Sequence, residues 1–217
     1  MPLPSALLTP FQLETARKSQ QTLSSGIPLL DCIIQGFPRG AMTEIVGPES
    51  SGRATLVHSL LTSATTNFEV CAYVDTTDGF DPHSAAASGV VLEQMVWIRC
   101  RHHLENALRS ADLLLHAGGF GVVVLDVSQV HERALQRIPI SYWHRFRLAV
   151  ENTPTILTIL EREAQAKSCA GMILELTRKQ TEWSGAPRFH LLRNVGIETV
   201  CRKPLRPVAT QFQARTS

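Results

Sequence analysis

The sequence predicts an α/β domain with a mostly parallel central sheet, flanked by helices and closed by an antiparallel hairpin. Short apolar runs alternate with helical patterns along most of the chain, and this alternation is typical of parallel strands joined by helices. The run Val122–Leu125 is wholly apolar, as expected of a central strand covered on both faces. The 217 residues, 44% of them hydrophobic, are sufficient for one such domain with short extensions.

Three regions follow one another along the chain. Residues 1–22, with prolines at positions 2, 4 and 10, are predicted to form an N-terminal arm. Residues 23–202 form the α/β domain, and residues 203–217 a basic flexible tail. The predicted helices cover approximately 29–34, 53–64, 81–88 and 102–117, and the predicted strands 42–46, 69–74, 94–99, 122–125, 155–160 and 171–177. The closing hairpin is expected from 188–193 and 198–202, with its turn at residues 194–196.

The segment between the first predicted strand and the long helix after it has the layout of a phosphate-binding loop. Gly47 and Gly52 bracket four small or polar residues. Such glycines let consecutive backbone N–H groups point into one concavity at the positive end of a helix, where phosphate is held. The full pattern continues with Gly-Lys and then Ser or Thr.

This loop departs from the full pattern at two positions. Arg53 stands where the lysine is expected, and its broad planar guanidinium does not replace a compact ammonium neutrally. Ala54 stands where a hydroxyl should hold a magnesium ion and has no oxygen to offer. Thr55 lies one residue further on, about 100° around the helix, and is expected to face elsewhere. The loop shape is therefore predicted to persist without its usual chemistry.

The segment Gly47-Pro-Glu-Ser-Ser-Gly52 followed by Thr55-Leu56 resembles the nucleotide loop of the RecA family, in which the same hexapeptide precedes Lys-Thr-Thr. Residues 23–31 and 36–40 are similar to that family's approach to the loop. Downstream, residues 71–75 with Asp81-Pro82, and the strand ending at Asp126, resemble two further family strands. Order and spacing match over about residues 20–180, so the resemblance implies a RecA-like domain.

The resemblance implies a nucleotide site with altered catalytic positions. The family's general-base glutamate aligns with Thr77, so no catalytic residue is assigned. Asp126 is retained, although a lone strand-end aspartate also serves in turns. The resemblance implies a bound ATP as an optional ligand and at most a weak ATPase. Its expected binding residues are Gly47, Pro48, Glu49, Ser50, Ser51, Gly52, Arg53, Ala54, Thr55 and Asp126.

The family's flexible DNA-contacting loops are also reduced. After the predicted strand 155–160, the chain passes through residues 161–167 almost directly to the next strand. A short RecA-like chain with these losses resembles the ImuA group, accessory proteins of mutagenic translesion DNA synthesis in the bacterial SOS response. The resemblance implies two partners, an ImuB-like polymerase homologue and an error-prone replicative-type polymerase, and allows contacts with RecA and weak contacts with DNA.

Basic residues suggest where a partner or nucleic acid would bind. The segment 130–147 interleaves arginines and histidines with aromatic residues, which is typical of a base-stacking surface and equally of one amphipathic helix. Residues 178–217 contain eight basic and two acidic residues. This excess of positive charge favours a polyanion or an acidic protein surface as a partner, and it is equally typical of a solvated tail. The candidate contact residues are Arg145, Arg147, Arg202, Lys203 and Arg206.

Composition excludes several other classes of protein. The five cysteines are scattered without a Cys-x-x-Cys pair, which indicates a reducing compartment. The eight histidines form no His-Glu-x-x-His motif, so no metal site is expected. No leader or apolar run of membrane-spanning length is found, and a soluble cytoplasmic protein is expected.

Three functions remain open at this stage. The first is a catalytically degenerate adaptor in DNA damage tolerance. The second is a working DNA-dependent ATPase or recombinase-like enzyme in which Arg53, Thr55 and Asp78 compensate for the losses, with Glu49 or Asp78 replacing the base. The third is a sensor that binds ATP without turnover.

Overall fold

The computed structural model describes residues 21–184, 191–203 and 208–215. Nearly all of the predicted arm, residues 1–22, lies outside these ranges, and so does the candidate contact residue Arg206. The prediction for the arm therefore stays a prediction.

Within the described residues the chain forms six α-helices and ten strands. The helices are α1 (Pro28–Ile34), α2 (Arg53–Thr66), α3 (Pro82–Ala87), α4 (Leu104–Ala117), α5 (Glu132–Leu135) and α6 (Ile140–Val150). The strands are β1 (Thr22–Leu23), β2 (Phe37–Pro38), β3 (Ala41–Val46), β4 (Cys71–Asp75), β5 (Met95–Arg99), β6 (Val122–Asp126), β7 (Ile156–Glu161), β8 (Met172–Ser184), β9 (Leu191–Lys203) and β10 (Val208–Arg215). No helix in this part of the chain is long and apolar enough to cross a membrane.

Eight of the strands form one sheet in the order β10-β9-β8-β3-β7-β6-β4-β5, and β1 pairs separately with β2. The six strands from β8 to β5 run parallel, whereas β9 and β10 are antiparallel additions at one edge. This arrangement confirms the predicted α/β fold with its mostly parallel sheet and closing antiparallel hairpin.

The carboxyl ends of the parallel strands meet at one edge of the sheet. Val46 at the end of β3 pairs with Glu161 at the end of β7, and Asp126 at the end of β6 pairs with Asp75 at the end of β4. Ligands of open parallel sheets bind at this edge, because the loops that follow the strands converge there. The phosphate-loop candidate after β3 therefore lies among the ends of β4, β6 and β7.

Two hydrophobic cores cover the two faces of the sheet. Alternate residues of each strand supply them, since side chains of a strand point to opposite faces. On β4, Tyr73 enters the core beneath α2, and Val74 enters the core beneath α4 and α6. The first core also receives Ile197 of β9 and Phe212 of β10, so the antiparallel edge is part of the same domain.

The turn of the closing hairpin was predicted at the wrong residues. Residues 194–196 lie inside β9, where Gly196 pairs with Gln180 of β8 and with Gln213 of β10. The sequence Asn-Val-Gly resembles turn chemistry, but Gly196 is not among the described residues with positive φ. The hairpin instead joins the two long strands β8 and β9.

Two further predictions differ from the structure. Residues 208–215, assigned to a flexible tail, form the edge strand β10, in which Phe212 is buried. The segment 130–147 is not one helix, because α5 ends at Leu135 and Pro139 precedes α6. Phe212 is flanked by Gln211 and Gln213, an alternation typical of a half-buried strand, and pairing with β9 forms that strand.

Candidate nucleotide site

The loop between β3 and α2 has the geometry of an anion cradle. Ser50 and Gly52 adopt left-handed conformations, with φ of 58° and 93°. The N–H of Leu56 donates to the Gly52 carbonyl at 3.0 Å and is the first intrahelical bond of α2. The preceding N–H groups of α2 have no carbonyl within the helix to bind, so they are available to a phosphate at the positive helix end.

The two loop glycines are required by their surroundings. A Cβ on Gly47 would lie 2.3 Å from the carbonyl oxygen of Leu176 on β8, and one on Gly52 would lie 2.1 Å from Cδ1 of Ile197 on β9. Strands β8 and β9 therefore pack directly against the loop. The sequence identified the glycines, but it gave no signal that Ile197 belongs to the site.

Arg53 lines the cavity beside the loop and also bonds the neighbouring strand β7. Its side chain is buried, with 8% of the residue exposed, and its Nη1 donates to the carbonyl oxygen of Glu161 at 2.6 Å. Burial lowers the pKa of Arg53, while the nearby carboxylates of Asp126 and Glu49 oppose this effect. The guanidinium thus links the first turn of α2 to the end of β7.

The next two residues of α2 lie on the wall of the same cavity. Ala54 is exposed there and offers no oxygen to a metal ion. Thr55 is exposed too and lines the cavity. The expectation that Thr55 faces elsewhere is therefore wrong, because the first turn of α2 meets the cavity broadly. Its hydroxyl is nevertheless one residue away from the position of the usual magnesium ligand.

The Asp126 carboxylate accepts hydrogen bonds from two groups of the protein. Its Oδ2 accepts a hydrogen bond from the hydroxyl of Tyr73 at 2.7 Å, and its Oδ1 accepts one from the N–H of Ser128 at 2.9 Å. Burial raises the pKa of Tyr73 well above its usual value, and the carboxylate of Asp126 raises it further. Asp126 therefore has both a turn-forming role and a place on the cavity wall.

Among the described residues, none offers an unpaired carboxylate at the position of the general base. The N–H of Thr77 donates to Asp75, and the Thr77 hydroxyl is buried without a partner. Asp78 forms an ion pair with Arg99 at 3.0 Å and does not line the cavity. Glu49 lines it but pairs with Arg162. These contacts disfavour Glu49 and Asp78 as replacement bases.

The cavity has a volume of about 610 Å³ and extends from the loop to the start of α3. At the far end, the Asp81 carboxylate accepts hydrogen bonds from the N–H groups of His83 and Ser84, as expected of a helix cap. Phe80 packs against Tyr73 with ring centroids 4.4 Å apart. The cavity is thus open and polar at the loop and aromatic at the opposite end.

Two buried glutamates lie beside this site. Glu44 of β3 and Glu161 of β7 are fully buried. One Glu44 oxygen accepts hydrogen bonds from the N–H groups of Gln165 and Ala166, at 2.8 and 2.6 Å. Burial and the neighbouring Glu44 raise the pKa of Glu161 well above its usual value. The Oε2 atoms of Glu44 and Glu161 are buried without a hydrogen-bond partner, and a proton on Glu161 would let it donate a hydrogen bond to Glu44.

The candidate contact residues have internal partners or remain at the surface. Arg145 pairs with Asp112, and Arg202 pairs with Glu175. The Lys203 ammonium donates to the carbonyls of Ser168 and Ala170. Arg147 is exposed. The structure does not bring these residues together with the nucleotide cavity.

The segment around α6 follows the amphipathic-helix alternative. Trp143 and Phe146 are buried in the core, with 2% and 0% of each residue exposed. They are therefore not available to stack on bases. Among the described residues no group of three or more His, Cys, Asp or Glu side chains could hold a metal ion.

Comparisons with known proteins place this geometry in context. A family model described as the RecA N-terminal domain matches residues 10–134. Over 111 residues the chain is 38% identical to "Protein RecA" of Borrelia hermsii (strain HS1 / DAH), and the match covers 50% of this chain and 31% of that protein. "Protein RecA" of Borrelia turicatae (strain 91E135) is 37% identical over 111 residues, covering 50% and 30%. The chain thus spans about a third of the length of these relatives.

Among solved structures, the crystal structure of the RadB recombinase superposes with a TM-score of 0.65 at 18% identity. The superposition covers 90% of this chain and 96% of that one. At this identity the likeness concerns the fold alone.

Proposed function

The chain belongs to the RecA family, and from this premise we propose that it is a catalytically degenerate accessory protein of DNA damage tolerance. In this proposal it acts in mutagenic translesion synthesis of the SOS response, as ImuA-type proteins do, through protein–protein contacts. Its partners would be an ImuB-like polymerase homologue and an error-prone replicative-type polymerase, with RecA as a further candidate.

One observation carries the proposal. Arg53 bonds the Glu161 carbonyl within the protein, and beside it Ala54 supplies no oxygen for a metal ion. Efficient phosphoryl transfer depends on positioned cations and on a group that orients the attacking nucleophile. The described part of this site contains neither a hydroxyl at the position that usually holds the metal ion nor a carboxylate at the position of the general base. The function of the protein must therefore come from binding.

ATP fits this site as a ligand that is bound without efficient turnover. The N–H groups of the loop and the first turn of α2 suit the phosphates, and the cavity of about 610 Å³ accommodates a nucleotide. When bound, ATP would supply phosphates that accept hydrogen bonds from these N–H groups. The hydrogen bonds from Tyr73 and Ser128 would orient the Asp126 carboxylate beside the phosphates.

The reduced DNA-contacting segment agrees with the proposal. Only residues 162–171 separate β7 from β8, and residues 167–169 form a short 3-10 turn. The N–H groups of Gln165 and Ala166 are fixed by the buried Glu44. A short, anchored connection cannot wrap a DNA strand as a long glycine-rich loop can, which favours protein partners over a DNA filament.

The proposal is tested by combining a turnover assay with a binding assay. The purified chain is expected to show no DNA-stimulated ATP hydrolysis, and to co-purify with the ImuB-like polymerase homologue encoded in the same genome. Brisk hydrolysis stimulated by single-stranded DNA, or filaments on that DNA, would instead support the recombinase-like enzyme.

A nucleotide sensor without turnover is the second candidate, and the intact loop favours it. A ligand that binds the folded state at 100 times its Kd stabilises that state by about 2.7 kcal/mol. ATP would therefore raise the Tm markedly if the sensor hypothesis holds, and partner binding would change with ATP. For the adaptor, partner binding is expected to be the same with and without ATP.

A further inference from the structure

A second cavity, of about 570 Å³, lies between the end of β5 and the first half of α4. It shares no lining residue with the nucleotide cavity. The polar side chains that line it and enter the argument are Arg99, Arg101, His103, Asn106, Arg109 and Ser110. This basic groove therefore presents three arginines and a histidine, and none of its lining residues is acidic.

Two of the three arginines make no ion pair with a described carboxylate. Arg99 forms an ion pair with Asp78 at 3.0 Å and stacks over the ring of Trp97 at 5.0 Å. Arg101 and Arg109 are exposed, and neither makes an ion pair with a described carboxylate. The groove thus carries an excess of positive charge.

The backbone holds Arg101 in place. Arg101 and His102 adopt left-handed conformations, with φ of 48° and 64°. The N–H of His102 donates to the carbonyl of Thr76 at 2.6 Å, and the N–H of His103 donates to the carbonyl of Cys100 at 3.0 Å. These bonds anchor the turn to the end of the sheet, so the Arg101 side chain starts from a defined position at the groove.

Neutral donors complete the groove. Asn106 and Ser110 are one helical turn apart on α4, on the same side as Arg109. Guanidinium groups match the oxygens of phosphate in a bidentate manner, and amide and hydroxyl groups add further hydrogen bonds. The lining is therefore suited to an anion with several oxygens.

We propose that this basic groove binds a phosphate-bearing anion, either the phosphodiester backbone of single-stranded nucleic acid or a free polyphosphate. Recognition would not depend on bases. The Trp97 ring packs against Phe80, with centroids 5.4 Å apart, and Arg99 stacks over it, so it is not an open stacking surface. Contacts made through phosphates alone position a strand without reading its sequence.

The inference goes beyond the proposed function, because it involves neither the nucleotide loop nor a protein partner. The test measures binding of fluorescently labelled oligo(dT) by anisotropy and of inorganic tripolyphosphate by calorimetry. The double variant Arg101→Ala/Arg109→Ala is compared with Arg133→Ala/Arg137→Ala, which removes two exposed charges elsewhere. All four side chains are exposed, so folding is expected to persist, and a thermal melt verifies this.

The groove variant is expected to weaken the affinity for its phosphate ligand by about tenfold or more, and to reduce the slope of log K against log salt by about two. The control variant should change the affinity less than about twofold. Loss with oligo(dT) alone assigns the nucleic-acid backbone, and loss with tripolyphosphate alone assigns the free anion. Unchanged binding of both probes to the groove variant, or preferential binding of polyglutamate by the wild type, would overturn the proposal.

Discussion

The guanidinium of Arg53 donates a hydrogen bond to the carbonyl oxygen of Glu161, across a separation of 108 residues, at 2.6 Å. Two further contacts join the same segments. The N–H of Gly47 donates to the Arg162 carbonyl at 3.2 Å, and the Arg162 side chain pairs with Glu49. The phosphate-loop candidate is thus attached to the end of β7 through both backbone and side chains. Substitutions that test these contacts separate structural roles from nucleotide-binding roles.

Arg53→Lys is expected to destabilise the protein without creating an enzyme. The lysine loses the bond to the Glu161 carbonyl and leaves a buried cation, which costs about 1.5–3 kcal/mol of unfolding free energy. Ala54 still offers no metal ligand. Urea unfolding measures the stability, and a phosphate-release assay measures hydrolysis.

The matched control for that variant is Thr55→Ala, an exposed change in the same turn of α2. Its effect on stability is expected to stay within about 0.5 kcal/mol. DNA-stimulated hydrolysis in Arg53→Lys would show that the loop needs only its usual lysine, and the degenerate-site interpretation would then fail.

Gly52→Ala should destabilise the fold because of Ile197. The new Cβ would meet Cδ1 of Ile197 at 2.1 Å, and the φ of 93° is unfavourable for alanine. Together these effects are expected to cost at least about 2 kcal/mol. Gly118→Ala is the control, since Gly118 also has positive φ but has nothing within 4 Å of the added Cβ.

A double-mutant cycle isolates the contact between residues 52 and 197. Ile197→Ala alone leaves a cavity and destabilises the protein. In the presence of Ile197→Ala, Gly52→Ala should cost less by about 1–3 kcal/mol, because the clashing methyl group is gone. Strict additivity in chemical denaturation would show that β9 does not press on the loop.

Glu161→Gln should stabilise the protein at neutral pH. The pKa of Glu161 is raised in the folded state above its usual value of 4.5. Below about pH 4.5 both states hold the proton; above it the unfolded chain releases the proton while the folded chain keeps it. Stability therefore falls as pH rises toward the folded pKa, at about 1.4 kcal/mol per pH unit.

The amide of Glu161→Gln donates to Glu44 without needing a shared proton, so this pH dependence should largely disappear. Urea unfolding between pH 4 and pH 8 measures it. Glu163→Gln, an exposed change two residues away, provides the control. Parallel pH profiles for wild type and Glu161→Gln would be inconsistent with a protonated buried pair.

Tyr73→Phe should cost about 1–2 kcal/mol, because it leaves the buried Asp126 carboxylate without a hydroxyl donor. Tyr142→Phe removes the only other tyrosine hydroxyl in the chain and serves as the control. In Tyr142→Phe, absorbance at high pH reports Tyr73 alone. Since its pKa is well above the usual value, it should ionise only together with alkaline unfolding; ionisation near pH 10 in the folded protein would contradict the buried pair.

Much of the fold was predictable from the sequence, because apolar periodicity depends on neighbouring residues. The strands β3, β4, β5, β6 and β7 and the helices α2 and α4 lie close to their predicted ranges. The turn at residues 194–196 and the tail were mispredicted for one reason. Whether such residues turn or extend is decided by the strands with which they pair, β8 and β10 for residues 194–196 and β9 for the tail.

The sequence by itself determined which chemical groups the nucleotide loop contains. The side chain at position 54 has no oxygen and the side chain at position 77 no carboxylate in any conformation, whereas the loop glycines remain. Only the tertiary structure decided which partners these groups have. Arg53 donates to the Glu161 carbonyl, Tyr73 donates to the Asp126 carboxylate, and the carboxyls of Glu44 and Glu161 interact. These partners come from strands far apart in the chain, and the parallel register of the sheet brings their ends to one edge.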